Sequence, residues 1–402
     1  MNKPDLNSTT SVCPACSVAG AAPIFRIENI PVHSTILLDD AVSAKAYPRR
    51  DLELALCRAC GLIFNRLFDP AAVAYTPRFE ESQHFSETFG TFARGFAREI
   101  ADRCRLGPGR RVFEIGCGKG EFLAELCRLS GCSGTGIDPA FRDDRLDHER
   151  PPGLSFVVDL FGPEHYHLVG DVVLCRHTLE HIGSVGDFVA SIRRMIGPRH
   201  DVWVIFETPS ALRILKEGAF WDVYYEHACY FTLGSHARLF RRYGFNVTDL
   251  ALVYGEQYIV QYALPEPQPT QPQQPHEDNV AQVIALAAGF AERAADRMRH
   301  WRETIAAVVG SRRRLVLWGG GSKAVAFLTA LDLGIGDVQV VDKNPFRQGR
   351  HLPGSGHRVL APAELVHVPP DIVLAMNPIY FSEIQKDLLA LGLSSTVLML
   401  KD

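Results

Sequence analysis

The chain lacks any apolar run near the ~18 residues that a bilayer span requires. Its opening stretch, Met1 to Thr10, lacks the apolar centre of a secretion signal, so the expectation is a soluble, cytoplasmic protein with no membrane partner. Surplus positive charge is also missing. The 42 basic residues are outnumbered by 46 acidic ones, which leaves a net charge of −4 and no field for non-specific nucleic-acid binding. No period of roughly 20–50 residues repeats, which argues against solenoids and propellers. Hydrophobic residues are not lacking: at 47% hydrophobic and 22% charged, the chain can bury real cores, and bulk disorder is excluded. At roughly 100–200 residues per domain, its 402 residues suit two to four domains.

Ten cysteines require an account, because a large chain in a reducing compartment has little use for disulfides. Six are scattered among apolar neighbours and read as small buried hydrophobes. The other four form two tight pairs, Cys13-Pro-Ala-Cys16 and Cys57-Arg-Ala-Cys60, the second followed by Gly61. Two such knuckles offer four thiolates for tetrahedral Zn²⁺ at ~2.3 Å, with no open position for chemistry at the metal. The expected role is structural, with a β-rich insertion between the knuckles and the metal contributing the folding free energy.

The segment from Leu264 to Asp278 holds five prolines and four glutamines and reads as a semi-rigid linker. It separates a βαβ-like region from a helical pattern between Asn279 and Gly310. In that pattern Ile284, Ala287, Ala288, Ala291, Ala295, Met298, Trp301 and Ile305 recur at helical spacing. The expected organisation is a zinc-binding domain over 1–74, a central domain over 75–263 with a helical lead-in at 75–108, the linker at 264–278, and a helix plus α/β domain over 279–402.

Arg111 to Leu126 reads as strand, glycine loop and helix, with Gly116, Gly118 and Gly120 in the loop and Glu114 two residues before the first glycine. A second strand ends at Asp138, which suits the two hydroxyls of a ribose. A third ends at Asp159 and Leu160, a fourth at Arg176 and His177, and a fifth at Glu207. Ligands bind where such strands end, at the switch point of an open α/β sheet. The pattern resembles class I S-adenosylmethionine (SAM) methyltransferases more than dinucleotide dehydrogenases, which favour GxGxxG. That resemblance implies that Glu114 and the three glycines line the methionine part of SAM. Asp138 would hold the ribose, and Asp159 and Leu160 would flank the adenine. Arg176 and His177 join them on the cofactor side.

His177 and His181 are four apart and would share one face of a helix. With Glu180 between them they suggest a metal site, but no third ligand is evident nearby in the sequence. A histidine at a strand end can also face a reacting centre, or simply pack beside the cofactor. Trp221 to Phe231 is the densest chemical cluster, with five aromatics, two acids and a histidine. A histidine beside a carboxylate, here His227 after Glu226, is poised for proton transfer near neutrality. The hydroxyls of Tyr224 and Tyr225 could stabilise an enolate oxygen. An aromatic core segment is the plainer reading.

With these residues in place, the chain resembles the nucleotide-sugar C-methyltransferases that build branched deoxysugars. That family joins a four-cysteine zinc domain, a SAM domain and a C-terminal Rossmann-like domain, with a paired-histidine stretch and a YxEH motif. Here those match His177 with His181, and Tyr224-Tyr225-Glu226-His227, and the similarity runs from Cys13 to about Leu400. The resemblance implies an α/β protein of three parts. A class I methyltransferase domain is flanked by a small zinc-binding domain and a second Rossmann-like domain. It also implies that a base, His227 oriented by Glu226, makes an enolate of a keto-sugar, and that Tyr224 or His181 donates to the enolate oxygen. Tyr225 is assigned to the substrate. The family also places tyrosines before its SAM domain. Here Tyr75 remains as a catalytic candidate, whereas Phe79 and Phe85 stand where further hydroxyls are expected.

The C-terminal unit repeats strand, glycine loop and helix from Leu315, with Gly319, Ser322 and Lys323 at the loop. A glycine loop at a helix N-terminus takes phosphate, and Lys323 adds charge. Asp342 and Asn344 close a second strand and Asn377 a third. By resemblance these hold the nucleotide diphosphate of the substrate. A bare scaffold or a second nucleotide cofactor are the other readings. Functional rivals are an O- or N-methyltransferase of a sugar or secondary metabolite, and a non-catalytic module that binds SAM and nucleotide. Nothing in the sequence constrains the oligomeric state.

Overall fold

The computed structural model describes residues 11–73, 76, 78–146, 150–268, 272 and 274–401. Three sheets organise it. The central sheet has seven strands in the order Phe245–Val253, Tyr258–Pro265, Trp203–Pro209, Val172–Arg176, Arg111–Ile115, Ser133–Ile137, Leu154–Val157. The last five are parallel, and Tyr258–Pro265 enters antiparallel beside Trp203–Pro209. That is the class I methyltransferase order. Its middle strands are mostly apolar, as a sheet covered on both faces requires, and the buried charges Glu114, Arg176 and Glu207 stand toward their C-terminal ends. The sequence reading found the five parallel strands. It did not mark the antiparallel pair, which follows the aromatic cluster without a glycine-rich loop to announce it.

The first sheet is antiparallel and joins Ser11–Val12, Ala19–Pro31, Arg49–Leu56 and Ile63–Asn65. Its fifth strand, Cys229–Tyr230, comes from the end of the aromatic cluster and pairs with Ile63 and Phe64. The third sheet is wholly parallel, in the order Val359–Leu360, Gln339–Val341, Leu315–Trp318, Ile372–Ala375, Thr396–Met399.

One apolar core binds these parts together. It includes Phe25, Leu52 and Leu54 of the first sheet, Ile214, Trp221 and Tyr225, Phe290 and Trp301, and Leu317 and Leu374 of the third sheet. Phe25 meets Phe290 edge-on at 5.1 Å. The expected single helix after the linker is two, Val280–Ala288 and Phe290–Gly310. They part at Gly289, where the Arg293 guanidinium bonds the Leu286 and Leu215 carbonyls and fills the space a side chain would take. The end of the proline-rich segment is anchored: Glu277 is buried and makes two hydrogen bonds with Arg241, at 2.6 and 2.8 Å.

His236 is packed among Phe206, Phe231 and Phe240 and bonds Gln261 through Nδ1 at 2.9 Å. Burial pushes its imidazole down to about 4. Below an unfolded value of about 6.5, the unfolded chain takes up a proton that this side chain refuses. Its stabilising contribution is therefore whole above that pH and is lost as pH falls toward 4, at about 1.4 kcal/mol per pH unit. In thermal melts from pH 6.5 to 4.5, His236→Gln should lose less Tm than the parent does. An unchanged pH slope would count against this account.

Candidate active site

One cavity of about 690 Å³ is lined by all three parts of the chain. On its first side lies the loop after Arg111–Ile115. Gly116 has φ +72°, and a Cβ there would sit 1.9 Å from Thr178 Oγ1, so only glycine fits. Gly118 also faces the cavity. Gly120 does not: it lets the following helix approach the Phe156 ring. Asp138 accepts from Gly118 N at 2.9 Å and Ala140 N at 2.7 Å, and burial raises its carboxyl above the ordinary value. Asp159 and Leu160 stand at the mouth, with Leu160 65% exposed.

Beneath the loop, Glu114 is 2% exposed with Oε2 unpartnered, and burial lifts it to about 8. Arg176 lies over the Phe122 ring at 3.8 Å and bonds Glu207 at 2.5 Å, leaving Nη2 unpartnered. His177 has φ +49° and lies 3.6 Å from Glu180 and 3.5 Å from Glu207. Burial opposes its charge, but the two carboxylates outweigh it and raise His177 to about 9.

The paired histidines do not share a helix face. Residues 179–181 form a single 3₁₀ turn, and the left-handed His177 breaks the path before it. His181 instead turns to His227, with ring centres 4.8 Å apart, and its Nδ1 lies 3.1 Å from the Glu226 carbonyl oxygen. Glu180, His181 and His227 bring one potential ligand atom each within 4.8 Å of one another, a set that could hold a cation or serve proton transfer. Burial, with His181 beside it, holds His227 down to about 3, so its imidazole is neutral.

The expected Glu226–His227 pairing is not formed. The Glu226 carboxylate turns to Ser34, accepting from its backbone N–H at 3.1 Å and from its hydroxyl. Adjacent residues in an irregular turn point apart, and Ser34 lies in the part of the chain that the turn faces. Glu180, and after it Asp222, are the carboxylates that favour charge on His227. Tyr225 also departs from its assigned role. It is 1% exposed, and its hydroxyl donates to the Leu67 carbonyl and accepts from Asp69 N, away from the cavity. Tyr224 does line the cavity, and its hydroxyl donates to Asp222 at 2.9 Å. Tyr75 lies outside the described residues. Phe79 packs edge-on against His33 at 4.8 Å and lines the cavity.

The opposite side carries Gly319, Ser322, Lys323, Asp342, Asn344 and Asn377. Asp342 accepts from Gly320 N at 2.7 Å and Asn344 N at 2.7 Å. Asn344 reaches across to Glu80 at 2.8 Å, and Asn377 to Gln257 at 2.9 Å. Lys323 is not free for phosphate alone, because its ammonium pairs with Asp222. Sequence reasoning missed Ser34, Arg213 and Arg347 as site residues. None lies in a spaced pattern. Arg347 bonds Asp342 at 3.1 Å and the Glu80 carbonyl at 2.6 Å.

The four knuckle cysteines meet. Cys13 and Cys60 Sγ are 3.6 Å apart, as are Cys16 and Cys57, and all four lie within 4.8 Å of one another. A tetrahedron of thiolates around zinc has edges of roughly 3.8 Å, so the set fits the ion.

The sheet order, the glycine loop and the cavity above it define a class I methyltransferase fold. Residues 89–250 match the family model described as a methyltransferase domain, and residues 273–393 match the one described as a C-methyltransferase C-terminal domain. The C-methyltransferase NovU of Streptomyces niveus is 28% identical over 397 residues, which covers 92% of this chain and 90% of that one. Sterol 24-C-methyltransferase erg6 of Schizosaccharomyces pombe is 32% identical over 81 residues, 19% of this chain and 21% of that one. Among solved structures, magnesium protoporphyrin IX methyltransferase from Synechocystis PCC 6803 aligns with TM-score 0.34 and 15% identity. That alignment covers 44% of this chain and 84% of that one. The two domain matches and the near full-length relative support a SAM-dependent methyltransferase of a C-methyltransferase family. No helix among the described residues is long and apolar enough to cross a membrane.

Proposed function

We propose that this protein is a SAM-dependent C-methyltransferase acting on a nucleotide-linked keto-deoxysugar through an enolate. The observation that carries this reading is the shared cavity. It has a SAM-type glycine loop on one side, a second glycine loop with cations on the other, and His227, His181 and Tyr224 between them. A likeness to NovU, itself named a C-methyltransferase, favours carbon over oxygen or nitrogen as the acceptor.

The unmatched groups beneath the first loop suit the amino-acid end of SAM, with the ammonium toward Glu114 and the carboxylate toward Arg176. Asp138 suits the ribose, and the exposed Leu160 offers an apolar face to the adenine. SAM supplies an electrophilic methyl group. The chain's own task is to make a carbon nucleophile and align it. A neutral His227 nitrogen can accept the proton from the carbon beside the keto group. Glu180, rather than Glu226, then steadies the resulting imidazolium. Tyr224 or His181 would donate to the enolate oxygen, and Tyr224 must exchange its bond to Asp222 to do so. Gly319, Ser322, Asn344 and Arg347 face the diphosphate and nucleoside. Zinc in the Cys13, Cys16, Cys57 and Cys60 cluster would hold the first sheet, and through Ser34 the Glu226 turn.

The test is turnover with SAM and a panel of nucleotide-linked 4-keto-6-deoxysugars in heavy water, read by mass spectrometry. The expected result is one added methyl group, with solvent deuterium entering unreacted sugar. Methylation without exchange would point to an oxygen or nitrogen acceptor. SAM binding with neither would leave a non-catalytic module.

A further inference from the structure

Asp222 has three partners. Its Oδ2 pairs with Arg213, and its Oδ1 takes both the Lys323 ammonium and the Tyr224 hydroxyl. These partners come from different places. Tyr224 belongs to the reacting side of the cavity. Lys323 opens the helix Ser322–Leu331 that follows the second glycine loop. The turn Phe220–Asp222 is fixed to that same helix, because Phe220 stacks on Phe327 at 5.9 Å with 16° between the rings. Tyr224 is fixed as well: its backbone N–H donates to the Tyr230 hydroxyl, which donates back to the Tyr224 carbonyl, both at 2.9 Å. The line from glycine loop to phenol is therefore short, buried and braced at each point.

We propose that Asp222 is a positioning residue that couples an anion bound at the Gly319–Lys323 loop to the hydroxyl of Tyr224. This rests on the nucleotide-sugar reading above. A sugar's distance from its own diphosphate is set by one glycosidic oxygen. The Lys323–Asp222–Tyr224 line would hold the phenol beside the ring when the diphosphate is seated, and the phenol's single proton would then turn from Asp222 to the enolate oxygen as charge develops there. An ammonium has three donors, so Lys323 can bridge Asp222 and a phosphate oxygen at once. Burial depresses Lys323 to about 8, partly offset by Asp222, and a second anion would favour its charged form further.

Three readouts test the coupling. Asp222→Asn should lower kcat about 100-fold at saturating substrate, with the KM for SAM unchanged. On a Tyr224→Phe background it should lower kcat little further, because it acts through that hydroxyl. In calorimetric titration with dTDP or UDP, Asp222→Asn should bind at least threefold tighter, since Lys323 is no longer shared, and Lys323→Met should bind at least tenfold weaker. Asp222→Glu should recover part of kcat. A merely structural Asp222 would weaken nucleotide binding and kcat together. Additive effects with Tyr224→Phe, unchanged kcat, or unchanged or weaker nucleotide binding in Asp222→Asn would each overturn the proposal. Should Asp222→Asn fail to fold, Lys323→Met carries the kinetic test: a loss confined to substrate KM overturns the coupling. Should the parent turn over no keto-sugar, the functional reading fails, and the titrations alone decide: no binding of either nucleotide to the parent overturns this inference too.

Discussion

Cys57→Ser should yield a chain without bound metal, with a first sheet that no longer folds and with no methyl transfer. Structural zinc sites carry apparent binding free energies of roughly 10–16 kcal/mol, comparable to the whole stability of a domain. The sheet they would hold here is small and irregular, with register shifts along its longest strand. The damage should not stop there. Ile63 and Phe64, just beyond the second knuckle, pair with Tyr230 and Cys229, at the end of the aromatic cluster that holds His227. Arg238 also bonds the Cys60 carbonyl at 2.9 Å and Asn279 at 3.1 Å. Metal analysis should find about one zinc per parent chain and near none in the variant, with a Tm lower by more than about 10 °C. A metal-free variant that stays folded and active would refute the structural role.

The second large effect belongs to His227. His227→Ala should reduce kcat by about 10²–10⁴, the range for losing a positioned general base, while SAM binding stays within a fewfold. Companion variants separate two versions of the site. If Glu226 oriented the base, Glu226→Gln would be nearly as damaging as His227→Ala. The side-chain arrangement gives the opposite order. Glu226→Gln keeps an acceptor for Ser34 and should be mild, and Glu180→Gln removes the carboxylate that most favours charge on His227 and should be severe. Loss of deuterium exchange along with methyl transfer would show that proton removal itself has failed, whereas exchange that persists without methyl transfer would show that the base lies elsewhere. Adding a chelator and then restoring Mg²⁺ or Mn²⁺ to the parent enzyme checks whether Glu180, His181 and His227 instead work through a cation. Activity that falls and returns with either ion would replace the base by that cation.

The features legible in the sequence were those that short spacing encodes. Gly116 and Gly118, Asp138 at its strand end, the second glycine loop and the cysteine knuckles each carry a local backbone or ligand demand. A chain can meet such a demand within a few residues. What escaped was contact between distant segments. Ser34 and Glu226 are 192 residues apart, and Lys323 and Asp222 are 101 apart. Nothing in the order of residues says that Glu226 turns away from its neighbour or that Tyr225 faces Leu67. The sequence also implied a helix for His177 and His181, because four-residue spacing means a shared face only where the backbone is helical. The left-handed conformation of His177 removes that premise.

The shared strand Cys229–Tyr230 has a consequence for recombination among relatives. Residues 211–230 complete the first sheet and pack into the same core as Leu317 and Leu374. A chimera that took only the first seventy residues from a relative would meet a foreign edge strand. One that took only the last hundred would meet a foreign Phe220 and Asp222. Viable crossovers should carry 211–230 along with both ends, so the unit that must be exchanged together is a discontinuous one.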